Sequence, residues 1–208
     1  MNGTKVKTLL IVGSAIFLVG MGLTIGWQIA AWLGGSRLSA CEFPFGSELR
    51  VTVDATGRIY VGDNFYSRIQ RYAPTGQFER GWFVDTDGIF VLRTTVDDRI
   101  DVATARRGGV LTYTTDGRLL SHVDDDYAYR RYSALPETAG HYTIKGWLLP
   151  RVVDTRTGQT VVATPWAKRL IAAPFPSFAY SILGVVLIAA SEWQRRRERG
   201  RLRTSSPQ

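Results

Sequence analysis

From Thr8 to Leu33 the chain carries no charged side chain. A helix rising about 1.5 Å per residue covers a hydrocarbon core of roughly 30 Å within such a run, so the pattern predicts a transmembrane helix over 8–34. A second uncharged stretch, Leu170 to Ser191, predicts another span over 170–191. Its prolines at Pro174 and Pro176 confine the regular helix to the part after Pro176. Between the two, apolar and polar residues alternate in short runs broken by Gly, Asp and Pro, the period of antiparallel strands and hairpins. No amphipathic helical period stands out there. The expected fold is a mainly β extracytoplasmic domain over 36–168, flanked by N- and C-terminal transmembrane helices, with a cytoplasmic N-terminus at 1–7 and a basic cytoplasmic tail at 192–208.

Turn signals subdivide the middle domain. Tyr72 to Phe78, Tyr113 to Leu119 and Val153 to Thr160 each centre on a glycine, and Gly76, Gly117 and Gly158 fall 41 residues apart. Asp54-Ala55-Thr56-Gly57 and Asp85-Thr86-Asp87-Gly88 form a second set, each followed by an apolar run. Gly or Asp at such places supplies the positive φ that a tight hairpin needs. A period of about 40–45 residues with four short strands per unit is typical of propeller blades. Val51-Thr52-Val53-Asp54-Ala55-Thr56-Gly57-Arg58-Ile59-Tyr60-Val61-Gly62-Asp63, continuing through Arg68-Ile69-Gln70-Arg71-Tyr72 to Gly76, resembles an NHL repeat. The resemblance implies blades whose end faces bind proteins, nucleic acid or small ligands when they close into a ring. About three blades fit in this length, fewer than the roughly four to eight of closed propellers. The domain is therefore either an open propeller-like β domain whose edges a partner covers, or a self-sufficient β-meander or small sandwich.

The net charge of +8 divides unevenly. Lys5 and Lys7 precede the first span; Arg195, Arg196, Arg197, Arg199, Arg201 and Arg203 against Glu192 and Glu198 follow the second; the domain between carries 18 basic and 16 acidic residues. Basic residues just outside both spans place both termini in the cytoplasm by the positive-inside rule. The expected localisation is a two-pass cell-membrane protein with its central domain outside, periplasmic if bacterial, and nucleic acid is not an expected partner. Arg195, Arg196, Arg197 and Arg199 would lie on anionic lipid. Trp27, Trp32 and Trp166 near the outer ends of the spans and Trp193 near the inner end suit the headgroup layer. The single cysteine, Cys41, excludes an internal disulfide. Leu38-Ser39-Ala40-Cys41 resembles a bacterial lipobox, which implies cleavage and lipidation; Arg37 and an apolar segment longer than a signal core of about 7–15 residues favour an uncleaved span.

Catalytic chemistry is thin. His122 and His141, the only histidines, sit on separate hairpins with no Cys or Glu at ligand spacing. Asp124-Asp125-Asp126 lacks the spaced pattern, Gly and distal Glu of an EF-hand loop. Gly34-Gly35 and Gly108-Gly109 lack the setting of a phosphate loop. The sequence predicts no catalytic, cofactor or metal site, and no enzyme. Tyr127-Ala128-Tyr129-Arg130-Arg131-Tyr132 interleaves aromatic and basic residues, a composition enriched at protein interfaces. Gly22, Gly26, Ala30 and Gly34 recur every four residues on one face of the first span, where another helix can approach closely. Other integral membrane subunits and membrane lipid are the expected partners. The leading expectation is a non-catalytic accessory or structural subunit of a larger membrane complex; the alternative is an extracytoplasmic ligand-binding or sensory module anchored by two helices.

Overall fold

The computed structural model describes the backbone of residues 3–33, 38–86, 88–106, 108–136, 138–147, 149–165, 168 and 175–204, and within the two long helices the side chains of 7–23, 25, 26, 29 and 179–197. Two units result, 1–26 with 173–208, and 27–172.

The first unit contains α1 (Gly3–Leu33) and α3 (Phe175–Thr204). Glycine lets them touch backbone to backbone. A Cβ on Gly13 would lie 2.9 Å from the Leu187 Cβ, and one on Gly184 would lie 2.6 Å from the Phe17 backbone nitrogen. The sequence expectation places the spans of a membrane protein here, and it is corrected: among the described residues, no helix is long and apolar enough to cross a membrane. In α3 the described run holds Glu192, Arg195, Arg196 and Arg197. The flanking transmembrane helices and the two-pass cell-membrane localisation therefore fall with this finding. The described architecture is mostly β, with three sheets and three helices.

The second unit holds all the described strands. Sheet 1 is β1 (Leu49–Val53), β2 (Ile59–Asp63), β3 (Arg68–Tyr72) and β4 (Phe78–Phe83) in sequential antiparallel order. Sheet 2 repeats it with β5 (Phe90–Thr94), β6 (Arg99–Thr104), β7 (Gly109–Thr114) and β8 (Leu119–Asp124). Sheet 3 contains β9 (Tyr142–Lys145), β10 (Arg151–Asp154) and β11 (Thr160–Ala163), which correspond to the last three strands of the other two. The 41-residue spacing of the turn glycines has its counterpart in the backbone: Gly76, Gly117 and Gly158 have φ of 85°, 82° and 72°, each in the turn before the last strand of its sheet. In that region a Cβ is strained, which is why glycine recurs.

The sheets stack in the order 3, 1, 2. Tyr60, Ile69 and Trp82 of sheet 1 form one core with Phe90, Leu92, Ile100, Val102, Leu111 and Tyr113 of sheet 2. The opposite face of sheet 1 packs Val51, Ile59, Val61 and Tyr72 on Val152 and Val162 of sheet 3. The first strands converge where Thr52 Oγ1 lies 3.1 Å from Thr94 Oγ1 and 2.5 Å from Thr138 Oγ1. Thr138 stands where sheet 3 would have a first strand, and its carbonyl accepts from the Val53 N–H at 3.1 Å.

A helix that the sequence pattern does not predict closes sheet 2. α2 (Ala128–Ala134) packs on β5, β6 and β7, with Ala128 fully buried against Val91 and Ala103 and with Tyr129 and Tyr132 beside them. Two turns are too short to establish a helical period. The helix also has no side-chain N-cap, Tyr127 occupying that position.

Candidate functional site

A strap over 38–46 crosses sheet 1 and is held by a backbone bond from the Gly81 N–H to the Ser39 carbonyl at 2.8 Å and by side chains. Gln70 accepts from the Phe43 N–H at 2.7 Å and donates to its carbonyl at 3.1 Å. Thr164 Oγ1 accepts from Phe45 N–H and Asp63 Oδ2 from Gly46 N–H. At the centre lies Arg68, with 0% exposure. Its Nη2 donates to the carbonyls of Leu38 and Cys41, both at 2.8 Å, and its guanidinium is sandwiched between the rings of Phe43 and Phe83 at 4.4 and 4.8 Å. Nε and Nη1 are buried without a hydrogen-bond partner. Burial pulls the Arg68 pKa down to about 10, against the attraction of nearby anionic groups. Asp63, its cross-strand neighbour, is pushed by burial up to about 7, against the backbone N–H groups of Gly46, Tyr66 and Phe65. Gly81 makes room for the guanidinium, since a Cβ there would lie 2.5 Å from Nη2. The cluster is closed to solvent, and its chemistry is structural.

A small cleft opens between β1, β5 and the C-terminal end of α2, with Arg50, Arg93, Tyr132, Ser133 and Leu135 among its lining residues. Its volume of about 60 Å³ admits a few waters or a small anion, far below the roughly 300–1,000 Å³ of drug-sized ligand sites. Tyr132 Oη donates to Asp101 Oδ2 at 3.0 Å, and burial followed by that carboxylate pushes its pKa up. The hydroxyl is thus committed to fixing α2 on sheet 2.

The residues singled out in the sequence are scattered over other places. Tyr129 and Tyr132 turn toward sheet 2, whereas Tyr127, Arg130 and Arg131 are exposed, Arg131 pairing with Asp125. At Gly22 and Gly26 a Cβ would meet nothing within 4 Å among the described residues. Gly34 and the side chain of Ala30 lie outside the described residues, as do Trp166 and the side chains of Trp27, Trp32 and Arg199. A close helix approach is made by Gly13 and Gly184, which a search for four-residue spacing on α1 passes over. Arg195 pairs with Glu192 at 3.0 Å, Arg197 stacks over Trp193 at 4.6 Å, and Arg196 is exposed. His122 approaches Asp124 at 3.5 Å and His141 approaches Asp154 at 3.7 Å. Among the described residues no group of three or more His, Cys, Asp or Glu is placed to hold a metal.

What stays uncovered is one end of the stack. All six residues of β8 are exposed, including Leu119 at 48%, Leu120 at 42% and Val123 at 58%. By contrast β2 is wholly buried. An apolar edge strand with an unused ladder side is a template for another chain. No protein-family model and no curated protein matches the sequence.

Proposed function

We propose that this chain is a non-catalytic accessory or structural protein whose β domain docks on a partner protein. The exposed apolar strand β8, at the end of an otherwise well-packed stack, carries this reading. The antiparallel sheets and the 41-residue glycine spacing support the view that they are NHL-like blades in an open arrangement, whose uncovered edge is the natural docking element.

The test is affinity purification of the tagged full-length chain, with stoichiometric companions identified by mass spectrometry, beside the variant Leu120→Asp/Val123→Asp. The expected result is a constant companion that the variant loses. Absence of any stoichiometric companion, a second, differently tagged copy of the chain included, or one retained equally by the variant, would overturn the reading. The ligand-binding alternative rests on the Arg50 and Arg93 cleft, whose size restricts it to a small anion. Isothermal titration with inorganic phosphate and acetate separates it from docking.

A further inference from the structure

The contact between successive sheets repeats inside the molecule. The turn of sheet 2 seats on sheet 1: a Cβ on Gly117 would enter the ring of Trp82, and Asp116 reaches Arg71 at 3.0 Å and Arg80 at 3.4 Å. The turn of sheet 1 seats on sheet 3 in the same sense, where a Cβ on Gly76 would fall on the Val161 carbonyl oxygen. Each turn thus presses on the last strand of its neighbour. The turn of sheet 3 has the same positive φ, 72°, yet a Cβ on Gly158 would meet nothing within 4 Å among the described residues.

The complementary surface is open at the other end. Val123 on β8 pairs with Val110 on β7 as Trp82 on β4 pairs with Ile69 on β3, so Val123 occupies in sheet 2 the position that Trp82 occupies in sheet 1. Directly paired residues share a face, and this face is the one on which α2 covers Val91, Ala103 and Val110. The helix packs on β5, β6 and β7 and leaves Val123 58% exposed. The open turn carries the exposed Arg156, paired with Asp154 of the same turn at 3.5 Å, and β8 ends in the exposed Asp124.

We infer that the open ends meet in a head-to-tail contact between two copies of this chain, with the Gly158 turn of one seated on β8 of the other at Val123. The contact continues the seam already made twice within the molecule. It is heterologous, and when used reciprocally by two copies it closes and leaves no free end. The inference rests on the reading of the β domain as an interaction module and names the partner of its open edge.

The test uses the full-length chain with Cys41→Ser, so that introduced thiols are the only ones. Light scattering of the purified protein should give the mass of two copies, and Val123→Asp should reduce it to one. Two differently tagged variants, Val123→Cys and Thr157→Cys, should form a mixed disulfide when combined and oxidised, and neither should link to itself. Both substitutions lie on exposed positions, and unchanged circular dichroism verifies the fold. A single-copy mass at every concentration without the mixed link overturns the inference, and so does self-linking of Val123→Cys, which would mean edge-to-edge pairing of β8. A companion of either kind, foreign or a second copy, upholds the docking reading, whereas only a two-copy mass of the purified chain upholds this one, so a foreign companion with a single-copy mass fails this inference alone.

Discussion

Three equivalent glycines make a controlled experiment. Gly158→Ala, Gly117→Ala and Gly76→Ala all place a Cβ at φ between 72° and 85°, a left-handed backbone that costs an L-residue about 1–2 kcal/mol. Only the surroundings differ. At 158 there is open space, so the cost stays near that backbone contribution. At 117 the new methyl enters the Trp82 ring, whose ring is itself packed near Tyr60 and Tyr113, and overpacking adds about 1–3 kcal/mol. At 76 the obstacle is the backbone carbonyl of Val161, which cannot rotate away, so this variant should be the least stable. The readout is urea unfolding in dilute solution, where single copies prevail. With a slope of about 1–3 kcal/mol/M, a difference of about 2 kcal/mol between Gly117→Ala and Gly158→Ala moves the midpoint by roughly 1 M. Equal midpoints for all three variants, at unchanged slope, would refute the packing of the turns on neighbouring sheets.

Arg68→Ala removes a buried cation, its two carbonyl contacts and its aromatic sandwich, and should destabilise by about 3–5 kcal/mol in thermal unfolding; a loss under about 1 kcal/mol would contradict the clamp. Asp63 has a folded pKa of about 7 against an ordinary 3.8, so its favourable contribution is complete below the unfolded value and is lost as pH rises through the folded one. Stability should therefore fall between these values by at most about 1.4 kcal/mol per pH unit, and urea midpoints of Asp63→Asn across that window should lack this component; an unaltered profile would exclude Asp63 as its source. Tyr132→Phe leaves Asp101 with only Thr112 as a hydroxyl donor and should cost about 1 kcal/mol, with faster hydrogen exchange confined to α2 as the signature. Asp116→Ala is the opposite case, an exposed carboxylate on Arg71 and Arg80, and should change the stability read from urea unfolding by less than about 1 kcal/mol.

The turn architecture was legible because a positive φ leaves a chemical mark: Gly76, Gly117 and Gly158 stand out at equal spacing in any reading of the chain. The first strand of sheet 3 left no comparable mark, since what replaces it is an irregular stretch held at Thr138 by the side chain of Thr52. α2 was hidden because its tyrosines and arginines spell a surface patch, and only Ala128, on Val91 and Ala103, reveals the buried side. Arg68 reads as an ordinary polar position in an alternating strand, and nothing local announces that the strap will cover it. The same holds for Gly13 and Gly184. In α1 apolar residues surround the helix on every side, so the sequence cannot tell which face meets α3.

The strap also bears on how the domain forms. Its anchors are Gln70, Asp63, Arg68 and Thr164, side chains that converge only after β2 and β3 have paired and the end of sheet 3 has arrived. Thr164 reaches Phe45 across 119 residues of chain, a loop whose closure is entropically expensive early in folding. The strap should therefore be fastened last and released first, as a single local opening. The amides of Phe43, Phe45 and Gly46 would then exchange together, sooner than those of β2 beneath them.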